Sequence, residues 1–197
     1  DFELYPKQSE ICADGYMIPF GDGPSPIYSR RVGKTIIQNL LASSKKYVWM
    51  TTPYLIIDND LCTSIENAAL RGVDVRITVP HIPDKKIIFG MTRSFYHRLM
   101  QAGVKIYEYT PGFIHAKMYV SDDMQAIVGG ANTDFRSMYL NFENCCSFYG
   151  GSMPASVKHD FEDTFSKSRL ITMEDVSKTP FIKRILQLML RIWSPML

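Results

Sequence analysis

The stretch His115–Glu143, HAKMYVSDDMQAIVGGANTDFRSMYLNFE, decides how the rest of the chain folds. With Ile114 just before it, it forms two short runs of apolar and β-branched residues, IHAKMYVSD from Ile114 and MQAIVGG from Met124. The runs meet at Asp122-Asp123, residue types that favour a turn. Strands this close leave no room for a crossover helix, so the pair must be antiparallel. A turn over residues 132–136 follows, and LNFENCCSFYG reads as the next strand. On an extended chain His115 and Lys117 project from one face, while Ala116 and Met118 turn to an apolar side.

Upstream the pattern changes. Ile36, Ile37, Leu40 and Leu41 recur on one side of a helix over residues 27–41, and KKYVWMTTPY reads as a buried strand. Asp58 or Asn59 can cap a helix running through Ala69 and closing at Arg71-Gly72. VDVRITVP is the next strand, residues 89–101 form a helix ending at Ala102-Gly103, and VKIYEY is a strand. Downstream, residues 152–167 read as a helix laid across the sheet. This alternation predicts an α/β fold: a mixed, mostly parallel sheet with helices on both faces.

Three segments are expected. Residues 1–26, rich in Gly, Pro, Asp and Ser, read as a lead-in segment and loop. Residues 27–170 form the main domain, and residues 171–197 carry a separate amphipathic helix from Pro180 to Trp193. One face of that helix gathers Phe181, Ile182, Ile185, Leu186, Met189, Ile192 and Trp193, with Lys183, Arg184 and Arg191 elsewhere. Such a face suits either an anionic membrane surface or another protein surface.

The 197 residues suffice for one domain with a full core, and 46% hydrophobic against 21% charged residues fits a folded chain. A net charge of +2 does not nominate nucleic acid as a partner, so affinity for phosphate must come from a local cluster. Cys12, Cys62, Cys145 and Cys146 contain no CxxC pair, which leaves free thiols of a reducing compartment as the reading. No run approaches the roughly 20 apolar residues that span a bilayer. The chain opens on Asp1 without an initiator Met, which predicts that it was cut from a longer protein.

His115 and Lys117 together suit phosphate-ester chemistry. An ammonium can hold a non-bridging phosphate oxygen as charge develops, and imidazole can attack phosphorus or carry a proton near neutral pH. Gly129-Gly130-Ala131-Asn132 lets the backbone approach a ligand and supplies an amide donor. Glu143 could fix the tautomer and orientation of an imidazole. His81, in VPHIPDKK with Lys85 and Lys86, either borders the cleft or sits in a solvated loop, and His97 and His159 read as exposed helix positions.

The spacing His115-x-Lys117-x-x-x-x-Asp122, six further residues, then Gly129-Gly130-x-Asn132 resembles the HKD motif of the phospholipase D superfamily. The continuation from Asp134 to Glu143, the stretches TTPYLIIDNDL, RGVDVRITVP and AGVKIYEYTPGFIHAK, and the terminal SPML resemble the C-terminal half of bacterial cardiolipin synthases. The likeness implies a phospholipase D-like half domain in which His115 is one of two histidines facing each other across a pseudo-twofold axis. One histidine becomes a phosphohistidine; the other, the role implied for His115, carries the proton. Lys117, Asn132 and Gly130 would line the phosphate site, Asp122 would order the motif within the catalytic set, and Glu143 would orient a histidine. No metal and no cofactor is implied.

The implied substrate is phosphatidylglycerol, two molecules of which give cardiolipin and glycerol, and no nucleic acid is expected. The family uses two motifs per site and this chain has one, so a second half must come from a missing N-terminal part or a homodimer mate. The full-length protein is expected at the cell membrane, on the cytoplasmic side, with this segment soluble. A homodimeric nuclease or phosphodiesterase of the same superfamily, and a catalytically silent half, remain open at this point.

Overall fold

A computed structural model describes residues 14–192 of the chain. Its elements are β1 (Gly15–Asp22), α1 (Val32–Ser43), β2 (Tyr47–Thr51), α2 (Asn59–Leu70), β3 (Asp74–Pro80), α3 (Lys86–Ser94), α4 (Tyr96–Gln101) and β4 (Lys105–Tyr109). They continue with β5 (Met118–Ser121), β6 (Gln125–Gly129), α5 (Phe135–Tyr139), β7 (Glu143–Gly150), α6 (Ser152–Ser166), β8 (Ser168–Leu170), α7 (Met173–Ser177) and α8 (Phe181–Ile192).

The strands form one mixed sheet in the order β1-β7-β6-β5-β2-β3-β4-β8. Among the described residues only β2–β3 and β3–β4 are parallel, and the other five of the seven strand pairings are antiparallel. The sheet is therefore mixed, as expected, but not mostly parallel. Parallel pairing needs a crossover helix, and only α2 and the α3–α4 pair supply one inside the sheet.

Period-two burial builds the two layers. Val48 and Met50 of β2 join the core under α1, α2 and α4, while Tyr47 and Trp49 face the smaller core under α6 with Val120, Ala126, Val157 and Phe161. Arg76 of β3 covers that second core, its guanidinium 4.7 Å from the Trp49 ring. Helices thus lie on both faces, and a sheet centre buried on both sides explains the continuous apolar run of β2.

Three local readings change. Residues 15–22, taken as loop, are an edge strand: β1 pairs along its whole length with β7, from Gly15↔Gly150 to Asp22↔Glu143. Residues 1–13, with Cys12, lie outside the described residues. The helix expected over 89–101 is broken at Phe95 into α3 and α4. The turn at 132–136 becomes α5, because Asp134 caps it by accepting from the Ser137 N–H at 2.7 Å.

The C-terminal helix is present as α8. It packs on α3, and the Arg191 guanidinium lies 4.2 Å from the Phe95 ring. Ile182, Ile185, Leu186 and Met189 stay exposed. Trp193 lies outside the described residues.

Candidate active site

The chain leaves β4, passes residues 110–117, and returns as β5 on the far side of β2. Here the sheet changes winding direction, and the carboxyl ends of β2 and β3 open a crevice of the kind where α/β sheets bind ligands. His115 and Lys117 lie beside it, the His115 ring next to that of Phe113, which lines the crevice with Pro53, Tyr54 and Pro80. His115 and Lys117 fall just before β5 rather than within it, because β2 ends opposite Met118 and β6 ends with Gly129 donating to the Lys117 carbonyl at 3.2 Å. Having run past the ladder, the segment keeps its extended alternation while its side chains emerge from the sheet. Met118 packs on the apolar core beneath α6, as its register requires.

The two side chains meet. Lys117 Nζ donates to the His115 carbonyl at 2.7 Å and stands 2.8 Å from His115 Nδ1 and 3.2 Å from Nε2. An ammonium has no lone pair to offer, so the imidazole beside it must present one and is neutral. Partial burial, then the Lys117 charge, lowers the His115 pKa, while the Asp84 carboxylate pulls the other way. The Phe113 ring lies 5.7 Å from the imidazole and 6.3 Å from the Tyr54 ring. Tyr54 donates its hydroxyl to Asp84, and its pKa is pushed up to about 12 by burial and by that carboxylate. None of Tyr54, Asp84 or Phe113 stood out in the sequence, since each acts through proximity that the fold creates.

A lowered pKa keeps the ring neutral to more acidic pH than the usual value of about 6.5. In an NMR titration of the intact chain His115 is expected to protonate below that value. Lys117→Ala is expected to move its midpoint upward, since a repelling charge and some burial are removed together. A midpoint at or above the free-imidazole value would contradict the geometry.

The two glycines have separate reasons. A Cβ on Gly129 would lie 2.4 Å from Cys145 Sγ and 2.5 Å from its Cα, and a Cβ on Gly130 would lie 3.0 Å from Glu143 Oε2. The first lets β6 and β7 close up, and the second leaves room for the Glu143 carboxylate. Burial lowers the Lys117 pKa, and Glu143, which accepts from Asn141 Nδ2 at 3.2 Å, opposes that shift through its charge together with Asp134. Glu143 makes no hydrogen bond to His115 among the described residues. The reason is spacing: β7 lies two strands from β5, about 10 Å at ordinary sheet spacing. Within this chain the orienting contact to the imidazole comes from Lys117.

Asp122 stands apart. It follows His115 by seven residues and lies at the other end of β5, roughly 20 Å away at strand rise. Its carboxylate accepts the N–H groups of Lys45, Lys46 and Tyr47 at 2.7, 2.9 and 2.9 Å. Its distance from His115 leaves it the ordering role within the catalytic set that the resemblance implied, without contact to a reacting phosphate. It ties the β5–β6 turn to the start of β2, as an ordering residue would.

Asn132 returns to the His115 end. The segment carrying it is stitched to residues 52–56: Thr133 donates to Thr52 Oγ1 at 2.9 Å, Ile56 to the Thr133 carbonyl at 3.1 Å, and Phe135 to the Ile56 carbonyl at 3.1 Å. Asn132 Oδ1 is buried without a hydrogen-bond partner among the described residues. Behind it, buried Lys34 bridges Asp58, Asp60 and the Tyr139 hydroxyl at 2.6, 3.0 and 2.7 Å, fixing α1, α2 and α5 together. His81 is tied down as well, its Nδ1 2.8 Å from fully buried Glu108, which also holds Arg93 and Tyr96. It is a half-exposed structural histidine and not a free loop residue.

Residues 37–167 match the family model described as cardiolipin synthase, PLD-like domain. The chain belongs to the cardiolipin synthase PLD-like domain family. It is 39% identical to an uncharacterised protein of Streptococcus mutans over all of its own length and 43% of that protein. It is also 36% identical to a cardiolipin synthase of Halalkalibacterium halodurans over 98% of this chain and 38% of that protein. The chain spans about two-fifths of the length of these relatives. Among solved structures, the phospholipase D family member Nuc of Salmonella typhimurium superposes with a TM-score of 0.64 at 19% identity, over 79% of this chain and 99% of that one. Phosphatidylserine synthase of Haemophilus influenzae does so with 0.67 at 17% identity, over 92% and 48%. At such identities the likeness is one of fold, and it agrees with the PLD-like half domain that the motif spacing implied.

Proposed function

We propose that this chain is one catalytic half of a phosphatidyl transferase that makes cardiolipin and glycerol from two phosphatidylglycerol molecules. The observation that carries the reading is the His115–Lys117 contact beside the crevice wall formed by Phe113, in a chain of the cardiolipin synthase PLD-like domain family. A facing histidine comes from a second motif, on a preceding half of a longer protein or on a partner copy. In the first step that histidine attacks phosphorus. The P–N bond forms, the P–O bond to the glycerol headgroup breaks, and His115, entering this step as the imidazolium, gives its proton to the departing oxygen and is left neutral. In the second step neutral His115 takes the proton of the acceptor hydroxyl, whose oxygen attacks phosphorus as the P–N bond breaks.

The lowered pKa of His115 favours the second, proton-accepting role. Lys117 stabilises the non-bridging oxygens in both steps, with Asn132 and the Gly130 backbone lining the same site. The exposed Ile182, Ile185, Leu186 and Met189 of α8 give the chain an apolar face for contact with the lipid surface, where the full-length protein would work.

Vesicles of phosphatidylglycerol incubated with the intact protein should yield cardiolipin and glycerol in equal amounts, and Leu186→Glu should reduce sedimentation of the protein with them. Cleavage of single-stranded DNA at low salt, with the lipid left untouched, would replace this reading with that of a homodimeric nuclease.

A further inference from the structure

A cavity of about 210 Å³ opens beside the motif, far above the roughly 15 Å³ that one water needs. Asn132 lines it, so it adjoins the reacting phosphate, and Tyr54, Ile56, Ile88 and Phe135 give it apolar walls. Two cations enter it from different elements: Lys85, at the start of α3, and Arg136, in α5. Neither forms a salt bridge among the described residues. Arg136 is held by Nε, which donates to Asn141 Oδ1 at 3.2 Å, so its terminal amino groups stay available.

The neighbouring carboxylates are committed elsewhere. Asp134 accepts from the Ser137 backbone, and Asp84 accepts from Tyr54 and from the Lys85 backbone. Exposed apolar side chains lie nearby in the chain, Ile82 and Ile87 around Lys85, and Leu140 and Phe142 around Asn141, the residue that holds Arg136.

On the reading given above, we infer that Lys85 and Arg136 bind the phosphate of the acceptor lipid. In the product two phosphates are joined through three carbons of one glycerol. The acceptor must therefore bring its own anionic phosphate within a glycerol's length of the phosphorus under attack. Two unpaired cations in an adjoining pocket offset the repulsion between the phosphates, and apolar walls suit the glycerol and the first carbons of the chains. Water and small neutral alcohols gain nothing from such a site. The pair thus sets which acceptor takes the phosphatidyl group.

The test is a partition. The intact protein receives mixed phosphatidylglycerol–phosphatidylcholine vesicles with ethanol as a competing acceptor, and the ratio of cardiolipin to phosphatidylethanol is read. Both products arise from one intermediate, so the ratio does not depend on the fraction of protein that is folded. Lys85→Ala with Arg136→Ala is expected to lower the ratio about tenfold or more, because charge-assisted contacts are lost for one acceptor only. Lys85→Arg with Arg136→Lys should largely restore it. An unchanged ratio, including one in which both products fall together, overturns the inference. A parent protein that makes neither product fails the functional reading itself, a result separate from the first.

Discussion

Replacing His115 with alanine is expected to abolish cardiolipin formation from phosphatidylglycerol vesicles, lowering the rate by about 10³-fold or more. A positioned acid/base alone contributes about 10² to 10⁴, and here one ring serves both the departing and the incoming oxygen. The side chain is exposed and packs in neither core, so the variant should fold and melt like the parent. That separation matters, because the loss can then be assigned to chemistry. Product analysis of the lipid extract beside a thermal melt gives the answer. A variant keeping more than a few per cent of parental cardiolipin formation would show that His115 carries neither proton, and the reading would fall with it.

Replacing Asp122 with alanine should produce the opposite profile. Three backbone N–H groups at the start of β2 lose their acceptor, and the left-handed turn at Asp122 and Asp123, with φ of 55° and 59°, loses a residue type that tolerates it. Hydrogen bonds to a charged acceptor contribute about 1.5–3 kcal/mol each when buried. Two of the three donors here are exposed, so a total near 2–3 kcal/mol is expected, or about 5–10 °C in Tm for a domain of this size. Below its melting point the variant should retain most of its activity per folded molecule. A normal melting temperature with activity lost as completely as in His115→Ala would instead place Asp122 in the chemistry.

The contrast between these two residues shows how far the motif alone can be read. Spacing put His115, Lys117, Asp122 and Asn132 into one pattern, yet an extended strand carries Asp122 to the far end of the sheet and a hairpin brings Asn132 back. Sequence distance along a strand converts directly into length, and only the turn decides which residues reunite. Glu143 is the same lesson in the other dimension: its strand and β6 were both legible, but the sheet order that sets β6 between β7 and β5 was not. Tyr54, Asp84, Lys85, Phe113 and Arg136 sit on four separate segments. Of these only Lys85, in VPHIPDKK, was read as a possible border of the cleft; nothing in the local pattern of the others marks one.

By itself the sequence determined the order and kind of most elements, the burial of β2, a helix cap at Asp58 or Asn59 and the shared face of His115 and Lys117. These follow from period-two and period-3.6 patterning and from local capping, which act over a few residues. The tertiary structure alone decided the mainly antiparallel pairing, the recruitment of residues 15–22 as an edge strand beside β7, and which side chains surround the imidazole. Each of those depends on contacts between residues far apart in the chain, where the energy lies in the pairing and no local residue pattern announces it.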